Sequence, residues 1–126
     1  MSNQNHQIAV HVRTEYLESR SFPEKGQFAF AYHVTLVNQG LKPAKLVTRH
    51  WIIVDANQQK KEVRGAGVVG KSPLLEAGDT FSYSSGVILE TPVGTMQGSY
   101  QMLDDQGNTF DASIAPFLLS VKNAVH

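Results

Sequence analysis

Three glycines, Gly65, Gly67 and Gly70, are the residues whose spacing points most directly to chemistry, because they spell G-x-G-x-x-G in the run Val63-Arg64-Gly65-Ala66-Gly67-Val68-Val69-Gly70-Lys71. In a dinucleotide-binding domain this spacing lets backbone approach a pyrophosphate at a helix N-terminus. That use requires a helix directly after the third glycine. Lys71-Ser72-Pro73 follows instead, and the proline pushes Ser72 toward extended geometry. The acidic residue needed about 20 positions further on could only be Glu90, which sits in a β-branched, turn-rich stretch. A glycine-rich connection between two strands fits better. Lys60, Lys61, Arg64 and Lys71 flank the glycines as a local positive cluster. Arg64, Lys71 and the free amides of Gly65, Gly67 and Gly70 could cradle a phosphate. Lys60, Lys61 and Arg64 could meet an acidic partner, or protect the edge of a sheet. No aromatic residue interleaves the cluster, so base stacking has no support.

The remaining chemistry-bearing residues form no recognisable constellation. His6, His11, His33, His50 and His126 show no H-x-H or H-x-x-x-H spacing, so no metal site is expected. Asp104 and Asp105 adjoin on a turn-like segment, where adjacent side chains diverge into water and aspartate caps its own backbone. Neither is set up for acid-base work. Ser82, Ser84, Ser85 and Ser99 lie in strand-like segments without a G-x-S-x-G elbow. No catalytic residue and no cofactor is expected. Cysteine is absent, which excludes disulfides and thiolate ligands.

The chain has 126 residues, 11 Lys plus Arg against 11 Asp plus Glu, and formal net charge zero. One domain with its own core is expected at that length, with residues 1–6 a disordered tail. The charge balance argues against non-specific binding to nucleic acid or anionic membrane. The polar start Met1-Ser2-Asn3-Gln4-Asn5-His6-Gln7 does not read as a signal peptide, and no run reaches membrane-spanning length. A cytoplasmic protein is the expectation.

The elements that must position these residues read as strands. Ile8-Ala9-Val10-His11-Val12-Arg13 alternates with period two, and a first strand is predicted from Ile8 to about Ser19. A turn over Arg20–Gly26 precedes the clearest strand, with Phe28, Phe30, Tyr32, Val34 and Leu36 on a core face. A third strand runs from about Ala44 to Asp55; its apolar run Trp51-Ile52-Ile53-Val54 suggests burial on both sides or a place near the sandwich centre. Lys60–Arg64 reads as a charged edge strand, and Thr80–Gly86 as a further strand. Val87–Gly94 reads as an irregular crossing. Thr95–Leu103 is a strand with a bulge at Gly98, Asp104–Asn108 a hairpin turn, and Thr109–Lys122 a last strand that Pro116 confines to an edge or kinks. Such strands and turns, without sustained 3.6-residue periodicity, indicate an all-β antiparallel sandwich of seven to eight strands. A barrel is the alternative. Trp51 on the third strand, where immunoglobulin-like sandwiches bury an indole, favours the sandwich.

Gly65-Ala66-Gly67-Val68-Val69-Gly70, then Ser84-Ser85-Gly86 with Glu90-Thr91-Pro92, then Gly94-Thr95-Met96-Gln97-Gly98-Ser99-Tyr100, together resemble the ApaG family over nearly the whole chain. The resemblance implies a fibronectin type III-like sandwich. It also implies a genetic association with cobalt tolerance and magnesium efflux, and a use in protein binding, because related domains occur in F-box and DNA polymerase-interacting proteins. The family's glycine motif, suggested as a nucleotide site, falls on Gly65, Gly67 and Gly70. The expected function is therefore a non-catalytic protein-interaction module with a protein partner, which could pair into a homodimer through a strand edge. The alternative is a protein that responds to a small ligand or divalent cation, binding phosphate or nucleotide at the Gly65–Gly70 loop. A nucleotide-related hydrolase ranks last.

Overall fold

The computed structural model describes residues 7–121, so the tail expected at residues 1–6 lies outside the described residues. Eight strands form two antiparallel sheets: β1 (Ile8–Tyr16), β2 (Phe28–Asn38), β3 (Ala44–Asp55), β4 (Lys60–Ala66), β5 (Leu74–Leu75), β6 (Thr80–Leu89), β7 (Val93–Asp104) and β8 (Thr109–Ser120). One sheet has the order β1-β2-β6 and the other β4-β3-β7-β8, with β5 pairing β3 beyond the end of β4. This is a fibronectin type III-like sandwich rather than a closed barrel, because each sheet keeps two edges.

Alternation along β2 produces the core face that the sequence predicts. Phe30, Tyr32, Val34 and Leu36 are buried, and Phe28 is half-buried at the strand's start. From the facing sheet come Leu46, Trp51, Ile53, Met96, Tyr100, Met102, Ala112, Ile114 and Leu119. Trp51 is the hub. It meets Tyr32, Tyr100 and Phe117 edge-on at centroid distances of 5.3, 6.2 and 5.9 Å, the arrangement that the ring quadrupole favours.

Four local expectations are corrected. The run Trp51–Val54 is half-buried, since Trp51 and Ile53 face the core while Ile52 and Val54 face outward beneath β4 and β7. The first strand ends at Tyr16, and Glu18–Arg20 forms a single 3₁₀ turn. Val87–Gly94 is not an irregular crossing. β6 continues to Leu89 in register with Phe28, and the breakers Glu90-Thr91-Pro92 make a tight turn before β7 opens at Val93. Thr91 fixes that turn, its hydroxyl donating to the Val93 carbonyl at 2.7 Å and accepting from the Ala56 amide at 3.0 Å. The ladder is irregular beside Gly98, but the bulged strand is β8 and not β7: Ala115 and Pro116 of edge strand β8 lie opposite Gln97 alone. Proline there forfeits no ladder bond.

Candidate functional site

The glycine motif is a hairpin. Val68 and Lys71 exchange backbone bonds, each amide donating to the other's carbonyl at 2.8 and 2.9 Å. Val69 and Gly70 between them carry φ of 44° and 80°. Positive φ at both central positions is a type I′ turn, which ordinarily takes Asn-Gly. Gly67 has φ of 62°, and a Cβ there would sit 2.3 Å from the Lys71 carbonyl oxygen. Its amide donates to the Val47 carbonyl at 2.8 Å. No helix follows: the chain passes through Pro73 into the short strand β5.

Gly65 has a separate role, as the seat of Arg49. A Cβ on Gly65 would lie 2.8 Å from Cζ, Nη1 and Nη2 of Arg49 alike, which places the guanidinium face-on over the glycine. Nη1 donates to the carbonyls of Ala66 and Gly67 at 3.0 and 2.9 Å. Arg49 thus holds the hairpin onto β3.

The positive cluster divides between two faces. Cross-strand partners share a face, and Lys61, Val63 and Gly65 pair with Ile53, Trp51 and Arg49 on the side toward the other sheet. Lys60, Glu62 and Arg64 pair with Val54, Ile52 and His50 on the outer side. There Glu62 meets His50 at 3.3 Å, Arg64 at 3.8 Å and Lys60 at 3.9 Å. Lys60 and Arg64 thus share a single carboxylate, in exposed contacts that water screens. Lys61 stands apart from them. Lys71, also exposed, is at the far side of the hairpin.

Lys61 and Val63 border a cleft of about 640 Å³ on the side of the sandwich where edge strands β4 and β6 face each other. Its floor is Phe30, Tyr32, Trp51, Ile53 and Met96; on β6 Val87 faces inward, and Ile88, paired with Ala29, stands at the outer lip. Ile88 is 58% exposed and Val63 36%. The cations Arg20, Arg49 and Lys61 also line it. A smaller hollow of about 130 Å³ extends it past Lys60, Leu89 and Glu90. On the opposite side, β1 and β8 lie close, the Thr14 hydroxyl reaching the Leu118 carbonyl at 3.4 Å.

Two polar groups were hidden in the sequence. His33 joins Ser84 at 2.6 Å through Nδ1 and Glu15 at 3.2 Å through Nε2, on the outer face of the β1-β2-β6 sheet. The contacts follow the order of a hydrolytic triad, with His33 set between a hydroxyl and a carboxylate on an exposed sheet face. In the core, the hydroxyls of Tyr83 and Tyr100 bond each other across the sandwich. Burial pushes Tyr83 up to about 12 and raises Tyr100 further, the latter reinforced by the neighbouring Tyr83. Both stay neutral hydrogen-bonding groups at ordinary pH. Among the described residues no three His, Asp or Glu side chains come together to hold a metal ion, and no helix is long and apolar enough to cross a membrane.

Residues 18–104, which hold the glycine hairpin and both walls of the cleft, match the model of the ApaG domain. The chain belongs to the ApaG family. It is 54% identical to Protein ApaG of Pseudomonas fluorescens (strain SBW25) over 126 residues, the full length of both chains. It is 53% identical to Protein ApaG of Pseudomonas aeruginosa (strain LESB58), again over both full lengths. Among solved structures, the putative ApaA protein from Bordetella pertussis superposes with a TM-score of 0.93 at 43% identity, covering 96% of this chain and 98% of that one. A protein from Archaeoglobus fulgidus shares the fold alone, with a TM-score of 0.57 at 9% identity over 92% of this chain and 98% of that one. The ApaG glycine motif in this chain is thus a type I′ hairpin, anchored by Arg49, at one end of an apolar cleft.

Proposed function

We propose that this ApaG-family protein is a non-catalytic, cytoplasmic protein-binding module, and that its docking surface is the cleft between β4 and β6. The observation that carries this is the coincidence of an apolar floor with two unpaired strand edges. Ile88 and Val63 add exposed apolar surface beside that floor, and apolar surface continuous with an open strand edge suits docking. An extended partner segment adds to β6 as a further strand, the backbone bonds supplying affinity and alternate side chains reading the pocket. The accessible stretch Ser85–Glu90 spans about 20 Å at about 3.3 Å per residue, room for a segment of about six residues. The rim is basic, with Arg20, Arg49 and Lys61, so the segment is apolar with acidic flanks. Lys60 and Arg64, whose charges Glu62 shares, contribute less to docking than Lys61. Any link to cobalt tolerance or magnesium efflux then runs through the partner.

A photocrosslinking residue at position 88, expressed in the native cell, tests this against one at position 118, an exposed leucine on the opposite edge strand. The proposal requires a discrete adduct at 88, mapped to an extended segment of one protein and lost in a Val63→Glu background. Identical adducts at 88 and 118 would refute it. The competing proposal, a phosphate or nucleotide on the Gly65–Gly70 loop, draws on the amides of Val69 and Gly70, which no backbone carbonyl accepts from. Calorimetry with ATP and a diadenosine polyphosphate decides it, since saturable heat abolished by Gly67→Asp would favour the loop.

A further inference from the structure

Arg49 is the unusual group in the cleft. It extends from β3 on the inner side of the sandwich, is only partly exposed, and lines both the apolar cleft and a polar hollow shared with Arg64, Gln101 and Asp111. A guanidinium has five N–H donors. Nη1 uses its two on the Ala66 and Gly67 carbonyls, while the Nε and Nη2 donors have no partner among the described residues. No carboxylate among these residues pairs with Arg49; the nearby acidic side chain of Glu62 faces the other side of β4. A partly buried charge without a counter-ion is costly, whereas a guanidinium with one edge fixed and the other open is set to receive a carboxylate through two parallel bonds.

We propose that Arg49 is the specificity-determining residue of the cleft, and that the docked segment carries a carboxylate which closes onto Arg49 while its apolar side chains cover Val63 and Ile88. This rests on the protein-docking proposal above and adds the chemistry that the segment must carry. Gly65 takes part indirectly: its missing side chain lets the guanidinium lie flat, and the carbonyls beyond it hold Nη1, so that the group is fixed in place before the ligand arrives. Fixing it beforehand reduces the ordering cost of binding. Lysine cannot substitute, being a compact point charge without the planar fork.

Two random peptide libraries displayed on phage, one ending in a free C-terminal carboxylate and one enclosed between fixed residues, are selected against the full-length protein. The expected result is peptides with alternating apolar residues and one acidic group at a constant position. An Asp or Glu in both libraries identifies a side-chain carboxylate; enrichment confined to the free-ended library identifies a chain terminus. A synthetic winner and its amide twin, with Asn or Gln for the acid or a capped terminus, are then titrated by NMR. The acid should bind about tenfold more tightly, as expected for a charge-assisted pair, and Arg49→Lys should erase most of that difference. Peptides that shift Val63 and Ile88 but carry no acid, or bind equally as acid and amide, would overturn the role of Arg49 and leave the cleft as a docking surface. If no peptide from either library moves cleft resonances, both proposals fail. The wild-type comparison of acid and amide stands even if the Arg49 variant does not fold.

Discussion

Substituting alanine at each glycine of the motif separates a structural role from a ligand-binding one, because the three positions make different demands. At Gly70 the φ is 80° and nothing lies within 4 Å of an added Cβ, so the cost is that of left-handed backbone alone, about 1 kcal/mol. At Gly67 a φ of 62° is combined with a Cβ only 2.3 Å from the Lys71 carbonyl oxygen, which is backbone and cannot swing aside. Adding the left-handed penalty to the expense of overpacking gives about 3 kcal/mol. At Gly65 the φ is unremarkable and the obstacle is the movable Arg49 guanidinium. Displacing it sacrifices the bonds to Ala66 and Gly67, partly offset by rehydration and by the smaller entropy that alanine loses in a strand, for a net of about 2 kcal/mol. Urea unfolding monitored by Trp51 fluorescence should therefore rank the losses Gly67 above Gly65 above Gly70, with unchanged m-values. Equal losses at all three positions, or Gly67→Ala within about 0.5 kcal/mol of wild type, would refute the structural reading of the motif.

Other consequences can be checked with the same purified protein. Val69 is β-branched at φ 44° and 54% exposed; Val69→Asn restores the preferred Asn-Gly pair and should stabilise the fold by about 1 kcal/mol in the same urea assay. Asn38 is fully buried, donates to the carbonyls of Lys42 and Leu75 at 2.9 Å each, and accepts from the Gly40 amide. Asn38→Ala leaves those groups unpaired and should cost about 3 kcal/mol. Tyr83 is raised from the ordinary value of 10 to about 12, and Tyr100 is also raised. Folded and unfolded chains are therefore equally protonated at these positions below pH 10, and the unfolded chain loses protons first above it. Stability should be indifferent to these two groups up to about pH 10, then fall by about 1.4 kcal/mol per pH unit for each tyrosine held neutral. Equilibrium unfolding at stepped pH, with absorbance at 295 nm counting tyrosinates, measures this; tyrosinate at both positions in the folded state near pH 10 would contradict it.

Much of the fold is legible in the sequence because alternation in β2 and the ends of β3 are local signals. Phe30, Tyr32, Val34 and Leu36 declare their face through spacing alone, and Asp55 with Ala56-Asn57 marks where β3 must stop. The failures occur where tertiary contacts outweigh local chemistry. Val87-Ile88-Leu89 looks irregular beside Glu90-Thr91-Pro92, yet pairing with β2 keeps it extended to Leu89. Asn38 reads as a turn former, whereas its buried amide ties the β2–β3 connection to β5. The positive cluster near the glycines reads as one patch, but strand alternation sends Lys61 into the cleft and Arg64 out to Glu62. The Gly-x-Gly spacing is visible, and the reason for its first glycine is not, because Arg49 reaches it from the neighbouring strand. The cleft is least legible of all. Its walls come from edge strands of two different sheets, and only the sandwich brings them face to face.

Hydrogen exchange of the β6 edge measures docking in the cleft most directly. The side of β6 away from β2 has no strand partner, so its outward amides should exchange rapidly in the free protein. With the segment found by crosslinking at position 88 added in excess, alternate amides between Ser85 and Glu90 should become protected by at least about tenfold, while those of β8 keep their rates. Protection confined to β8, β1 or the Val68–Lys71 hairpin would place the partner elsewhere and contradict the account.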